Sequence, residues 1–151
     1  MMKKIFSALV VATLGLYAND TLIKLYESPT CGCCKLWAKY MQKNGYTLEI
    51  HESNDFYTIK DKLGIKPEYQ SCHTALIQGY AIEGHVPSSV VAWLVQNKPK
   101  DVIGVSAPMM PQGSPGMEQG YEETYPVLIL KKDGSAEVYG YFKGENLVQK
   151  N

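Results

Sequence analysis

The sequence predicts an α/β fold, a mixed β-sheet flanked by helices, and three observations carry that expectation. Alternating apolar and polar residues mark strands at residues 21–27 and 46–51, with a helical pattern between them. A strand–helix–strand order implies a right-handed parallel crossover. Near the C-terminus, Asp133-Gly134 separates strand patterns at 127–131 and 136–141, a hairpin signal that adds antiparallel pairing.

The elements follow in order. Leu22, Lys24 and Tyr26 alternate against Ile23 and Leu25 in the first strand, and Ser28-Pro29-Thr30 turns the chain. Residues 33–44 set Leu36, Trp37, Tyr40 and Met41 on one helical face, and Gly45 stops the helix. After the second strand, Asn54 or Asp55 caps a short helix carrying Phe56, Ile59 and Leu63, closed by Gly64. Residues 74–78 and 80–82 read as short strand pieces around Gly79. Pro87, Ser88 and Ser89 open a helix of Val90, Val91, Trp93, Leu94 and Val95, which ends before Pro99. Residues 104–126 then hold four prolines and four glycines without periodicity. A loop that long is usually functional or disordered. With few apolar anchors, it is expected to be among the least ordered segments of the metal-free protein.

Composition bounds the function. The 151 residues are 45% hydrophobic, enough for one compact core and one domain. Fifteen basic residues balance fifteen acidic ones, and every basic residue is a lysine. No arginine exists to fork onto a phosphate or a guanine edge, which disfavours nucleic acid as a partner. Residues 1–18 read as a secretory signal: Lys3 and Lys4, an apolar run over 5–16, and Ala18 before the cleavage point. The run is too short to span a bilayer, and no later stretch reaches spanning length. The exported domain is therefore residues 19–151, with no membrane segment.

Export favours disulfides, yet the cysteines do not form a stapling framework. Cys31, Cys33 and Cys34 crowd into four positions, and Cys72 stands alone. Adjacent Cys33 and Cys34 would make a strained bridge, whereas structural disulfides close longer loops. Cys31-Gly32-Cys33-Cys34 contains a C-x-x-C after the first strand, at the start of the first helix, where thioredoxin-like proteins keep their reactive pair. The helix N-terminus favours the thiolate there. Thiolate is both nucleophile and metal ligand, so placement alone leaves two readings. Dithiol exchange needs two sulfurs, and a third nearby invites scrambling. Chelation of a soft metal gains from each added sulfur.

Cys72-His73 and Glu83-Gly84-His85 add further candidate ligands, His73 because it adjoins the fourth cysteine. His51 ends a strand with no sulfur beside it. Met109, Met110 and Met117 fall in the Pro/Gly-rich loop, which offers no helical face to fill, whereas Met41 reads as core. Thioether is a soft neutral ligand that selects Cu(I), while structural zinc takes Cys and His without Met. Copper fits this donor set better than zinc.

Four segments now resemble one family. Ser28-Pro29-Thr30-Cys31-Gly32-Cys33-Cys34, Ser71-Cys72-His73-Thr74-Ala75, Gly79-Tyr80 with Glu83-Gly84-His85-Val86-Pro87, and the run from Met110-Pro111-Gln112 through Gly116-Met117-Glu118 are similar, in order, to the CopG-type periplasmic copper-resistance proteins. The resemblance covers essentially the whole exported chain. It implies a thioredoxin-like fold, to which the C-terminal β-hairpin and long Pro/Gly/Met loop read above belong, a periplasmic location, and copper held as a multinuclear cluster. It implies Cys31, Cys33, Cys34 and Cys72 as bridging thiolates, with His73, His85, Met110 and Met117 as peripheral ligands. Met109 stands where the family pattern more often has Gly. The expected partners are copper ions and other periplasmic copper-handling proteins. Whether copper cycles between Cu(I) and Cu(II), as in a copper oxidoreductase, is left open. The alternative is a thiol–disulfide oxidoreductase with Cys31 as nucleophile and Cys34 as resolving thiol, which would need little from Cys33, Cys72 or the methionines. A zinc-stabilised structural domain is a third reading, which the methionines oppose.

Overall fold

The structure is a computed structural model and describes residues 21–151. The expected signal segment, residues 1–18, lies outside the described residues. No helix among the described residues is long and apolar enough to cross a membrane.

Eight strands form one mixed sheet in the order β2-β1-β3-β4-β5-β6-β7-β8. The chain runs β1 (Leu22–Glu27), α1 (Gly32–Lys43), β2 (Thr47–Glu52), α2 (Thr58–Lys62), β3 (Thr74–Ile77), β4 (Tyr80–Gly84), α3 (Ser88–Asn97), β5 (Val102–Ala107), β6 (Thr124–Lys131), β7 (Ala136–Lys143) and β8 (Asn146–Lys150). A single 3₁₀ turn, Pro67–Tyr69, precedes β3. The β1–β2 and β4–β5 pairs are parallel and all others antiparallel. The two parallel pairs are those bridged by a helix, as a crossover requires.

This register decides where the chemistry collects. Tyr26 near the end of β1 pairs with Thr74 at the start of β3, and Thr74 pairs in turn with Glu83 near the end of β4. Glu83 and Gly84 pair with Ser106 and Ala107 at the end of β5. The turn after β1, the residues before β3, the residues after β4 and the long loop after β5 thus share one end of the sheet.

Several elements depart from the sequence pattern. β5 overlaps the start of the segment expected to be loop, because Gly104 interrupts an apolar run buried along most of its length, so no alternation marks it. Glycine is needed there: a Cβ on Gly104 would sit 2.0 Å from the Ala81 carbonyl oxygen of β4. The irregular loop is therefore residues 108–123. It is not loosely anchored either, since Pro111, Gly113 to Gly116 and Met117 are all buried. The expected C-terminal hairpin is a three-stranded meander, because Gly144 turns the chain into the solvent-exposed β8. On α1 the buried stripe is Cys34, Trp37, Ala38 and Met41, an i, i+3, i+4, i+7 set, which leaves Leu36 52% exposed.

The core joins Trp37 and Met41 of α1 to Ile23 and Leu25 of β1, Ile82 of β4 and Val90, Val91 and Leu94 of α3. Glu27, on the same face of β1 as Ile23 and Leu25, is fully buried, and neither carboxylate oxygen has a hydrogen-bond partner. Burial pushes its carboxyl above the usual carboxylate range, the Lys35 charge opposing and Glu52 reinforcing the shift. A folded-state pKa above the unfolded value of 4.5 means that the native state binds the proton more tightly, so this group costs stability at neutral pH and the cost fades as pH falls through the folded pKa. Glu27→Gln is expected to raise the thermal midpoint at pH 7, with the gain shrinking toward pH 4; parallel melts of both proteins across that range measure it.

Candidate metal centre

The turn Ser28-Pro29-Thr30 is closed by the Cys31 N–H donating to the Ser28 carbonyl at 3.0 Å, and Cys31 then stands at the N-cap of α1. Cys33 and Cys34 occupy the first helical turn, where unpaired backbone N–H groups favour negative charge on sulfur. Cys31 and Cys34 are joined as a disulfide, and Cys33 and Cys72 are free thiols. Cys72 arrives from the far side of the sequence, just ahead of β3. Its sulfur is 3.6 Å from that of Cys34 and 3.9 Å from that of Cys33, while Cys33 is 3.6 Å from Cys31. All four sulfurs lie within 4.8 Å of one another.

Two imidazoles flank Cys72. The Cys72 sulfur is 3.1 Å from Nε2 of His85 and 3.4 Å from Nδ1 of His73, and both histidines are fully buried. The His85 Nδ1–H donates to the Pro115 carbonyl at 2.8 Å, which leaves Nε2 with its lone pair facing the sulfur. His73 Nε2 has no hydrogen-bond partner. The His73 ring packs against Trp37 at 4.7 Å and meets His85 edge-on at 5.0 Å. Burial holds both imidazoles below the ordinary histidine range, and for His73 the neighbouring His85 and Lys60 add to the effect. Neutral imidazole is the metal-binding form. Burial and the adjacent Cys33 push the Cys72 thiol up to about 12. A soft cation at this sulfur supplies the charge that deprotonates it.

The loop covers this cluster through close backbone contact. Gly116 has φ +87°, and a Cβ there would meet the Trp37 nitrogen at 2.7 Å and the Cys33 carbonyl at 3.0 Å, so the loop rests directly on the first turn of α1. The Trp37 indole N–H donates to the Val86 carbonyl at 3.0 Å, tying α1 to the segment that follows His85.

Of the eight residues singled out in the sequence, the structure groups Cys31, Cys33, Cys34, Cys72, His73 and His85. Met117 is buried in the loop next to Gly116. Met110 is 49% exposed and lines a groove whose wall includes Cys72. His51 is remote, stacked on Tyr26 and bonded to Glu49.

Sequence reasoning missed Lys60. Its ammonium is fully buried, donating to Glu83 Oε1 at 2.5 Å and to the Thr74 hydroxyl at 2.8 Å. Glu83 Oε1 also accepts the Ser71 N–H at 2.7 Å, and Oε2 accepts the Thr74 hydroxyl at 2.6 Å. This network holds both flanks of Cys72-His73. No sequence signal marks it, because Lys60 reads as a surface position on a short helix in which Ile59 and Leu63 look like the inward face.

The family described as protein of unknown function DUF411 matches residues 69–117. No curated protein sequence matches the chain. Two solved structures of copper resistance protein CopG are similar to it. Form 2 is 37% identical with a TM-score of 0.76, over 80% of this chain and 97% of that one. Form 1 is 36% identical with a TM-score of 0.76, over 82% and 98%.

Removing one partner of a buried ion pair strands the other charge, at a cost of about 3–5 kcal/mol. Lys60→Met is expected to destabilise the protein on that scale in urea titration, and Lys60→Met with Glu83→Gln to recover a substantial part.

Proposed function

Because the chain belongs to the CopG copper-resistance family, we propose that it is an exported copper-binding protein that holds Cu(I) as a cysteine-bridged multinuclear cluster. The observation that carries this reading is the group of four mutually close sulfurs with two neutral buried imidazoles against one of them. Four thiolates around one ion would saturate it, whereas four sulfurs that bridge serve several Cu(I) ions with few further ligands. Cys31, Cys33, Cys34 and Cys72 supply the bridging thiolates. His85 Nε2 and His73 are the imidazole ligands, and the buried, unpartnered His73 nitrogen is a polar atom with a reason to be there. Met117, buried beside the loop's contact with α1, is the thioether cap.

The metal-binding form is the reduced one. A thiol reductant converts the Cys31–Cys34 disulfide to two thiols with two electrons and two protons, and copper then displaces the thiol protons. The N-terminal pattern of residues 1–18 supports export, and the family supports a periplasmic site of action. A C-x-x-C at the N-terminus of α1, behind a β1-α1-β2 crossover, supports a thioredoxin-like reading of the first part of the chain.

The Cys31–Cys34 disulfide favours a second reading, a thiol–disulfide oxidoreductase with Cys31 as nucleophile. Cys33 separates the two. Anaerobic Cu(I) titration of the reduced protein with metal analysis is expected to give several copper ions per chain, and Cys33→Ser to lower that loading sharply. A single bound ion, or full loading by Cys33→Ser together with intact disulfide exchange, would favour the oxidoreductase.

A further inference from the structure

A groove of about 780 Å³ opens beside the sulfur cluster, with Cys72 in its wall and Met109 and Met110 along it. Met109 is 77% exposed and Met110 49%, whereas Met41 and Met117 are buried. Two adjacent thioethers left in water forgo the gain that burial would bring. Met109 also carries a backbone penalty, because its φ of +64° is a left-handed conformation that disfavours a residue with a Cβ.

The fold holds Met109 there regardless. Its N–H donates to the Gln70 carbonyl at 2.9 Å, the Ser71 hydroxyl donates to its carbonyl, and Ser71 and Met109 form a parallel bridge. Each tie runs to one of the two residues that precede Cys72. The thioether is thus displayed to solvent at a fixed position on the approach to the sulfur cluster. Among the residues lining the groove only Glu123 carries a formal charge, so no lysine there repels a cation.

We propose that Met109 and Met110 form a capture site for Cu(I) at the mouth of this groove, from which the ion passes to Cys72 and the other cysteines. The inference rests on the copper-binding reading above and adds a route to it. Thioether suits the task because it binds soft Cu(I) with no proton to lose. Two neutral thioethers also hold the ion less firmly than bridging thiolates, so transfer inward is downhill. Copper remains Cu(I) throughout, and only its ligands exchange. Met110, expected from the resemblance to cap the cluster, acts here in transit.

The test compares the reduced wild-type chain with Met109→Leu/Met110→Leu, which preserves side-chain bulk and removes both sulfurs. Cu(I) is supplied as its bicinchoninate complex, and transfer is followed by loss of the complex's absorbance in stopped flow. The variant is expected to load at least about tenfold more slowly, with the same final copper per chain. In wild-type protein already filled with Cu(I) and labelled at the methionine methyls, added Ag(I) is expected to shift Met109 and Met110 but not Met41. Equal loading rates, or methyls of Met109 and Met110 that stay unmoved, would overturn the capture site. So would a lower final loading in the variant, which would make these methionines ligands of the cluster itself. Wild-type protein that loads no Cu(I) would instead overturn the copper-binding reading on which the inference rests.

Discussion

The site depends on how Cys72 is held against the first turn of α1. Those two segments are 38 residues apart, and nothing local brings them together. The antiparallel β1–β3 pairing aligns the end of one strand with the start of the other. The buried Lys60–Glu83–Thr74 network then fixes the backbone on both sides of Cys72-His73. A buried ion pair rarely adds much net stability over apolar packing, because desolvation offsets most of the attraction. Its value here is positional: carboxylate, ammonium and hydroxyl each have one best arrangement, and that arrangement fixes the residues beside the sulfur.

Around that anchor the environment is tuned toward a soft cation. Burial makes the histidines neutral and keeps the Cys72 proton in place without a metal. The Pro115 carbonyl selects the His85 tautomer whose free nitrogen faces the sulfur. The loop over residues 108–123 contributes that carbonyl, and Gly116 lets it settle on α1. The segment lacking regular structure is therefore part of the cluster's wall.

Much of this was legible in the sequence, and the failures have physical causes. Local cues marked β1, α1, β2 and α3, because each carries its own periodicity and stop signal. β5 escaped because a strand buried along most of its length does not alternate, and its glycine answers to the Ala81 carbonyl of another strand. β8 escaped because an edge strand exposed on both faces carries no apolar pattern. The loop's composition suggested looseness, but burial of Ser114, Pro115 and Met117 comes from neighbours that only the fold supplies. Cysteine crowding exposed one half of the candidate centre. Lys60 was invisible, since a lysine shows its burial only through the distant carboxylate it meets.

Four sulfurs that bridge several Cu(I) ions would bring those ions close to one another. Copper K-edge X-ray absorption on the reduced, copper-loaded protein distinguishes such bridging from isolated binding, since the extended fine structure reports both the nearest donor atoms and any neighbouring metal. The expected result is a Cu(I) edge, a first shell dominated by sulfur, and a short copper–copper vector that weakens in Cys72→Ser. A spectrum of isolated copper in nitrogen and oxygen ligands, with no copper–copper scattering, would rule out bridging by these sulfurs.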